Sequence, residues 1–75
     1  MTVVEPVKHP TEYLFRILKS GVTFSVDKKW HNPEGWIVTH AYVNEPHDLD
    51  ITLTDQERDE VEAWLTANVV PEYPD

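Results

Sequence analysis

Cysteine is absent from this 75-residue chain, and glycine occurs only twice, as Gly21 and Gly35. Without cysteine the chain can form neither a disulfide nor a thiolate metal site, which fits a reducing compartment. With two isolated glycines it has no glycine-rich loop of the kind that cradles phosphates. The sequence therefore excludes disulfide scaffolds and nucleotide-binding loops.

Long apolar runs are also missing. None approaches the roughly 20 residues of a membrane-spanning helix, and the stretch Met1 to Pro6 lacks the basic and apolar regions of a signal peptide. We therefore expect a cytoplasmic protein that makes no membrane contact. The length predicts one domain, residues 1–75, and a hydrophobic content of 40% is ordinary for a folded one.

Basic residues are scarce in the second half of the chain. Residues 1–37 hold five Lys or Arg against four Asp or Glu, a net charge of +1. Residues 38–75 hold Arg58 alone against ten acids, a net charge of −9, which completes the formal −8. Such an uneven field attracts basic partners and repels nucleic acid and anionic membranes. We therefore expect no direct binding of nucleic acid.

The first part of the chain predicts an antiparallel sheet. Residues 1–10 read as an arm or an edge strand, since a short β-prone piece lies among prolines. Residues 11–20 fit either a helix or a strand. The strand is favoured because Lys19-Ser20-Gly21 suits a hairpin loop with Gly21 in the left-handed conformation, and alternating apolar residues follow it: Val22, Phe24 and Val26.

A turn and a further strand complete this sheet. Asn32-Pro33-Glu34-Gly35 has the residue types of a type I turn at every position. The segment 36–44 then reads as a strand, so that residues 12–44 form a β-meander. Residues 50–53 are expected to be a short extended link.

The clearest element is a helix at 54–68. Thr54 is its predicted N-cap, and Glu57, three residues later, completes a capping box. An apolar stripe recurs at i, i+3 and i+4 and faces a core: Val61, Trp64 and Leu65. Residues 71–75 hold two prolines and are expected to form an extended tail. The predicted fold is α+β: a small antiparallel three- to four-stranded meander with one C-terminal helix packed on one face.

Carboxylates group on the side of the predicted helix that points away from the apolar stripe. At 100° per residue, Asp55, Asp59 and Glu62 fall within about 60° of one another. The flank and the preceding loop add further acids. The predicted contact surface comprises Asp48, Asp50, Asp55, Asp59, Glu60 and Glu62. It would dock on a basic patch of another protein, such as one that binds nucleic acid. The alternative is a solvated helix face that serves only capping and solubility.

The face of the sheet that the helix leaves uncovered is a second candidate. Strict alternation along residues 36–44 would place four side chains on one side: Trp36, Val38, His40 and Tyr42. A semi-apolar face of this kind must meet water, another chain or the N-terminal arm, residues 2–5. If it pairs with a second copy, the protein is a self-associating structural protein, a homodimer.

A metal site and catalysis are the remaining classes. Several residues have the side chains of a His/carboxylate metal site: His9, His31, His40, His47, Asp48 and Asp50. Their spacing matches no helical metal motif, so structural or surface histidines are favoured over a metal-binding domain. A domain this small holds little volume for a water-excluding pocket. We therefore expect a non-enzymatic protein without a cofactor.

In size, acidity and lack of cysteine, the chain resembles the small accessory proteins of bacteriophages and other mobile elements. Some of those proteins inhibit host nucleases or defence complexes by presenting carboxylates where phosphates would bind. The resemblance implies an inhibitor that mimics the charge of nucleic acid. It rests on size and charge and assigns no particular residue.

Overall fold

The computed structural model describes residues 2–7, 13–43 and 49–71. Within these ranges the chain forms an α+β fold with a five-stranded antiparallel sheet and one C-terminal helix. The elements are β1 (Val4–Val7), β2 (Leu14–Ile17), β3 (Thr23–His31), β4 (Gly35–Val43), β5 (Leu49–Ile51) and α1 (Asp55–Asn68).

The strands follow one another across the sheet in the order β1-β2-β3-β4-β5, and every neighbouring pair is antiparallel. The meander is therefore confirmed, but it has five strands where three or four were predicted. The strand that was not predicted is β5, in the expected link at 50–53, which pairs with residues 41–43. β1 is the edge strand that was one of the two interpretations of residues 1–10; it extends the sheet at its edge and does not fold back over the open face.

The hairpin between β2 and β3 confirms the strand interpretation of residues 14–17. The N–H of Ile17 donates to the carbonyl of Val22 at 2.8 Å, and the N–H of Gly21 donates to the carbonyl of Ile17 at 2.7 Å. Gly21 has a φ of +77°, the left-handed conformation that the loop was expected to need. The turn before β4 lies at the predicted residues, but its Asn32–Pro33 peptide bond is cis, which is found in type VI turns and not in the predicted type I turn.

Helix α1 begins as its sequence predicts. Thr54 is the N-cap: its hydroxyl accepts from the N–H of Glu57 at 3.1 Å, and the Glu57 carboxylate accepts from the N–H of Thr54 at 2.9 Å. No helix in the described ranges is long and apolar enough to cross a membrane. The predicted tail lies outside these ranges except for Pro71.

The core lies between α1 and one face of the sheet. Phe15 and Phe24, from neighbouring strands, stack with their ring centroids 5.8 Å apart. Val61 and Leu65 of the predicted stripe are fully buried against this face. Trp64 meets the edge of Phe15 at a centroid distance of 5.6 Å. These few large side chains anchor the helix, as expected for a domain with so little interior.

Strand β4 carries one extra residue. Asp27 of β3 lies opposite His40, but the next residue, Lys28, lies opposite Val38. Thr39 therefore has no residue of β3 directly opposite it, and this extra residue is a β-bulge. Since successive side chains of a strand point to opposite faces, one extra residue exchanges the faces of all residues beyond it.

This bulge corrects the predicted face of β4. Trp36 and Val38 pack toward the helix side, and so does Ala41 beyond the bulge. His40 and Tyr42 lie on the opposite side, hereafter the outer face, with their rings stacked at a centroid distance of 5.4 Å. The four residues therefore do not share one surface. The outer face thus loses Trp36 and Val38, which pack on the helix side, and gains Ile37, which lies opposite Lys29.

Candidate functional site

The N-terminal half of β4 is an edge of the sheet, because β5 pairs only with residues 41–43. Two N–H groups of this edge donate to side chains of α1. The N–H of Val38 donates to the Glu62 carboxylate at 2.9 Å, and the N–H of Trp36 donates to the Thr66 hydroxyl at 3.0 Å. Residues i and i+4 of a helix are about 6 Å apart and residues i and i+2 of a strand about 6.8 Å, so the two spacings match. Helix α1 thus replaces a neighbouring strand.

The other flank of α1 provides a carboxylate acceptor for N–H groups at the edge of β1. The Glu60 carboxylate accepts from the N–H of Val3 at 2.9 Å and from the N–H of Val4 at 3.0 Å. These bonds, first that from Val3, lower the pKa of Glu60 and keep it ionised. Pro6, farther along β1, has no N–H to donate. The edge of β1 is thereby left with few free donors for another strand.

Two of the predicted docking acids therefore have a structural role. Glu60 and Glu62 flank Val61 in sequence, so they project about 100° to either side of the buried stripe. At that angle they meet the two sheet edges, where both residues are part-buried. Glu62 was expected on the outward side of the helix and Glu60 on its flank; the structure shows both carboxylates accepting from backbone N–H groups of the sheet edges. That Glu60 and Glu62 contact a partner stays a prediction.

A substitution separates this structural role from a surface role. Glu62→Ala leaves the half-buried N–H of Val38 without its acceptor, and we expect the free energy of unfolding to fall by about 1–2 kcal/mol. Urea denaturation followed by tryptophan fluorescence measures it. Asp59→Ala, an exposed acid on the same helix, is the control and should change stability by less than about 0.5 kcal/mol. Equal effects of both substitutions would contradict the assignment.

Three of the predicted docking acids remain on the surface. Asp50 on β5 and Asp55 at the start of α1 have 80% and 98% of their side chains exposed. Asp59 is exposed one turn after Asp55. Arg58 lies 3.6 Å from Asp55, a distance at which an exposed pair contributes little. Asp48 lies outside the described residues.

The structure adds a carboxylate that the sequence analysis did not select. Asp27 of β3 lies opposite His40 and is 61% exposed on the outer face. Its Oδ2 is 3.3 Å from His40 Nδ1, and Asp50 Oδ1 is 2.7 Å from His40 Nε2. The three side chains form a row across β3, β4 and β5, hereafter the carboxylate row. The signal in the sequence was the alternation of β3, which puts Asp27 on the face opposite Phe24 and Val26.

The carboxylate row changes the proton affinity of its central residue. The pKa of His40 is raised above its ordinary value of 6.5, mainly by the hydrogen bond to Asp50 and then by that to Asp27. Both bonds favour the imidazolium, because a carboxylate only accepts. The ring is part-exposed, so the row is in contact with solvent.

The row does not have the geometry of a metal centre. Each ring nitrogen of His40 faces a different carboxylate, so no common point is available for an ion. Within the described ranges, no three His, Asp or Glu side chains are arranged to hold a metal. His9, His47 and Asp48 of the predicted ligand set lie outside these ranges, and His31 is exposed at the far end of β3.

Several of the positive charges in the described ranges are engaged within the protein. Arg16 forms an ion pair with Glu5 across β1 and β2. The ammonium of Lys28 lies 4.9 Å from the ring centroid of Trp36 and 5.3 Å from that of Tyr13, on the helix side of the sheet. Arg16 and Lys28 are therefore engaged away from the exposed aspartates.

Comparisons of this chain with protein-family models, with curated proteins and with solved structures found no match. The function is therefore inferred from the chemistry of the surface just described.

Proposed function

We propose that this protein is a non-enzymatic interaction domain whose exposed aspartates dock on a basic patch of a partner protein. The observation that supports this proposal best is that the acids fall into two groups, one bonded within the domain and one exposed. Glu57, Glu60 and Glu62 bind backbone N–H groups of the domain itself. Among the residues that the structure describes, four aspartates are exposed on regular elements: Asp27, Asp50, Asp55 and Asp59. We call these four the docking aspartates.

The docking aspartates lie on two sides of the domain. Asp27 and Asp50 are on the outer face with His40, whereas Asp55 and Asp59 are on α1, which packs on the other face of the sheet, so a partner that contacts all four must reach around the edge of the sheet. The docking aspartates are held by β3, β5 and α1 and not by a flexible tail, so little conformational entropy is lost when they bind. Arginine would be the preferred partner side chain, since its planar guanidinium matches a carboxylate with two parallel hydrogen bonds. A protein whose arginines and lysines ordinarily hold phosphates has this chemistry, which supports an inhibitor that mimics the charge of nucleic acid.

A net charge of −8 on 75 residues would also act before contact. Complementary fields steer two proteins together and accelerate association, and the effect falls steeply as salt rises. At about 0.15 M ionic strength the screening length is roughly 8 Å, so steering is reduced but close ion pairs persist. Salt-sensitive, fast association is therefore the kinetic property expected of this function.

The test is a pull-down from lysate with three baits at low and at raised salt. Asp59→Lys reverses a docking aspartate, whereas Glu34→Lys reverses an exposed acid in the turn before β4. Both change the net charge by the same amount. We expect a protein that is retained by the wild type and by Glu34→Lys, released by salt, and bound at least about tenfold more weakly by Asp59→Lys.

Equal retention by all three baits would mean that net charge alone attracts the captured protein, and the proposal would fail. The captured protein must also be basic, which its sequence shows directly. Circular dichroism of each bait checks that the fold is intact, since Asp59 and Glu34 make no described contact with the core.

The structure gives less support than the sequence did to self-association through the outer face. The bulge removes Trp36 and Val38 from that face, and two copies would each bring a charge of −8. Light scattering at high protein concentration distinguishes the two functions. A salt-insensitive dimer would favour self-association over docking on a basic partner.

A further inference from the structure

We propose that His40 is a proton-operated switch that withholds Asp27 from a basic partner when the imidazole is charged and releases it when the imidazole is neutral. This inference rests on the proposed function and concerns its regulation. It is carried by the hydrogen-bond geometry of the carboxylate row and by its position on the outer face, which α1 does not cover.

The switch follows from counting donors and acceptors. An ionised carboxylate only accepts hydrogen bonds, and both ring nitrogens of His40 face one. Two donors on one imidazole exist only in the imidazolium form. A neutral ring has one N–H and one lone pair, so it can hold one carboxylate and repels the other. The two hydrogen bonds of the carboxylate row can therefore form together only when His40 is protonated.

The distances decide which carboxylate is released. Asp50 Oδ1 is 2.7 Å from Nε2, the length of a charge-assisted bond, whereas Asp27 Oδ2 is 3.3 Å from Nδ1. Deprotonation should thus keep the proton on Nε2, retain Asp50 and free Asp27. The outer face then gains one unpaired carboxylate and one unit of negative charge.

Other charged groups around His40 set the range in which it responds. On β3 these are Asp27 and Lys29; on β5, Asp50. On β4 itself, Tyr42 stacks against the ring. From α1, Arg58 lines the same 230 Å³ cavity as His40, at the bulge. The two carboxylates are the groups in hydrogen-bond contact with the ring, and the pKa of His40 is raised.

The sign of the pH effect follows. Because folding raises the pKa of His40, the row contributes stability that is fully present below about pH 6.5 and is lost as the pH rises through the folded-state pKa. Docking has the opposite dependence. A cationic partner competes with the proton, so its affinity rises over the same window, and binding releases the proton.

The experiment measures binding of an N-terminally acetylated nona-arginine peptide, whose guanidinium groups do not titrate near neutrality, at pH 5.5 and pH 8.5. We expect the affinity of the wild type to rise between these values roughly two- to fivefold more than that of His40→Gln. His31→Gln, which removes an exposed histidine at the end of β3, is the matched control and should behave as the wild type. Salt is held constant throughout.

NMR titration of the histidine rings provides a readout that does not depend on the peptide. Asp50→Asn should lower the pKa of His40 more than Asp27→Asn does, and neutral His40 should carry its proton on Nε2. Peptide binding that rises equally in the wild type and in His40→Gln overturns the switch alone. Absence of binding by both proteins at both pH values overturns the docking surface, and the switch with it.

Discussion

Gly35→Ala is expected to destabilise the domain by about 3 kcal/mol, a large part of the roughly 4–11 kcal/mol expected for 75 residues. A Cβ at this position would lie 2.6 Å from the Thr66 hydroxyl oxygen and 2.7 Å from its methyl carbon, well inside van der Waals contact. Gly35 also has a φ of +109°, which residues with a side chain rarely adopt. Each effect costs about 1–3 kcal/mol.

Urea denaturation measures this loss, with Gly21→Ala as the matched control. Gly21 also has a positive φ, +77°, but an added Cβ there meets nothing within 4 Å. It should lose only about 1 kcal/mol, from the backbone conformation alone. The double variant Gly35→Ala/Thr66→Ala should lose less free energy of unfolding than the two single variants lose together, since the second change removes two of the clashing atoms. Equal losses for the two glycines would show that α1 does not pack this closely on β4.

Leu65→Ala is expected to remove about 3–4 kcal/mol. Leu65 is 0% exposed, and it belongs to the core between α1 and the sheet together with Phe15 and Phe24. Truncation loses the transfer free energy of the buried atoms and leaves a cavity beneath a single helix. A lowered unfolding midpoint in thermal and urea denaturation measures the effect.

Leu49→Ala is the matched control, because the same atoms are removed from a side chain that is 63% exposed. It should change stability by less than about 0.5 kcal/mol. If Leu65→Ala were equally mild, the helix would not be held by its apolar stripe. The side-chain bonds from Glu60, Glu62 and Thr66 would then have to carry the packing of α1.

The local elements could be predicted because their signals are short-range. Thr54 and Glu57 make a capping box within four residues, and Gly21 provides the left-handed conformation of a tight hairpin loop. The alternation of β3 also predicts its pairing with β2. The strand count was too low where the signal was weak: β5 is three residues long, and its sequence has too few alternations to stand out.

The candidate site was predictable only in part. Asp50, Asp55 and Asp59 are exposed as expected, but the positions of Glu60 and Glu62 were read from the periodicity of an isolated helix. The neighbouring sequence does not distinguish Glu60 and Glu62 from Asp59. Their difference arises from the sheet edges that meet the two flanks of α1. The row through Asp27 and His40 likewise depends on strand register.

The amino-acid sequence by itself determined the uneven charge, the capped helix and the antiparallel hairpins, since each depends on composition or on neighbours a few residues apart. Only the tertiary structure decided which carboxylates stay available to a partner. Unpaired N–H groups at a sheet edge must find acceptors, and a single bulge at Thr39 decides which side chains of β4 meet water. Both facts belong to segments that are distant in the chain and adjacent only in the fold.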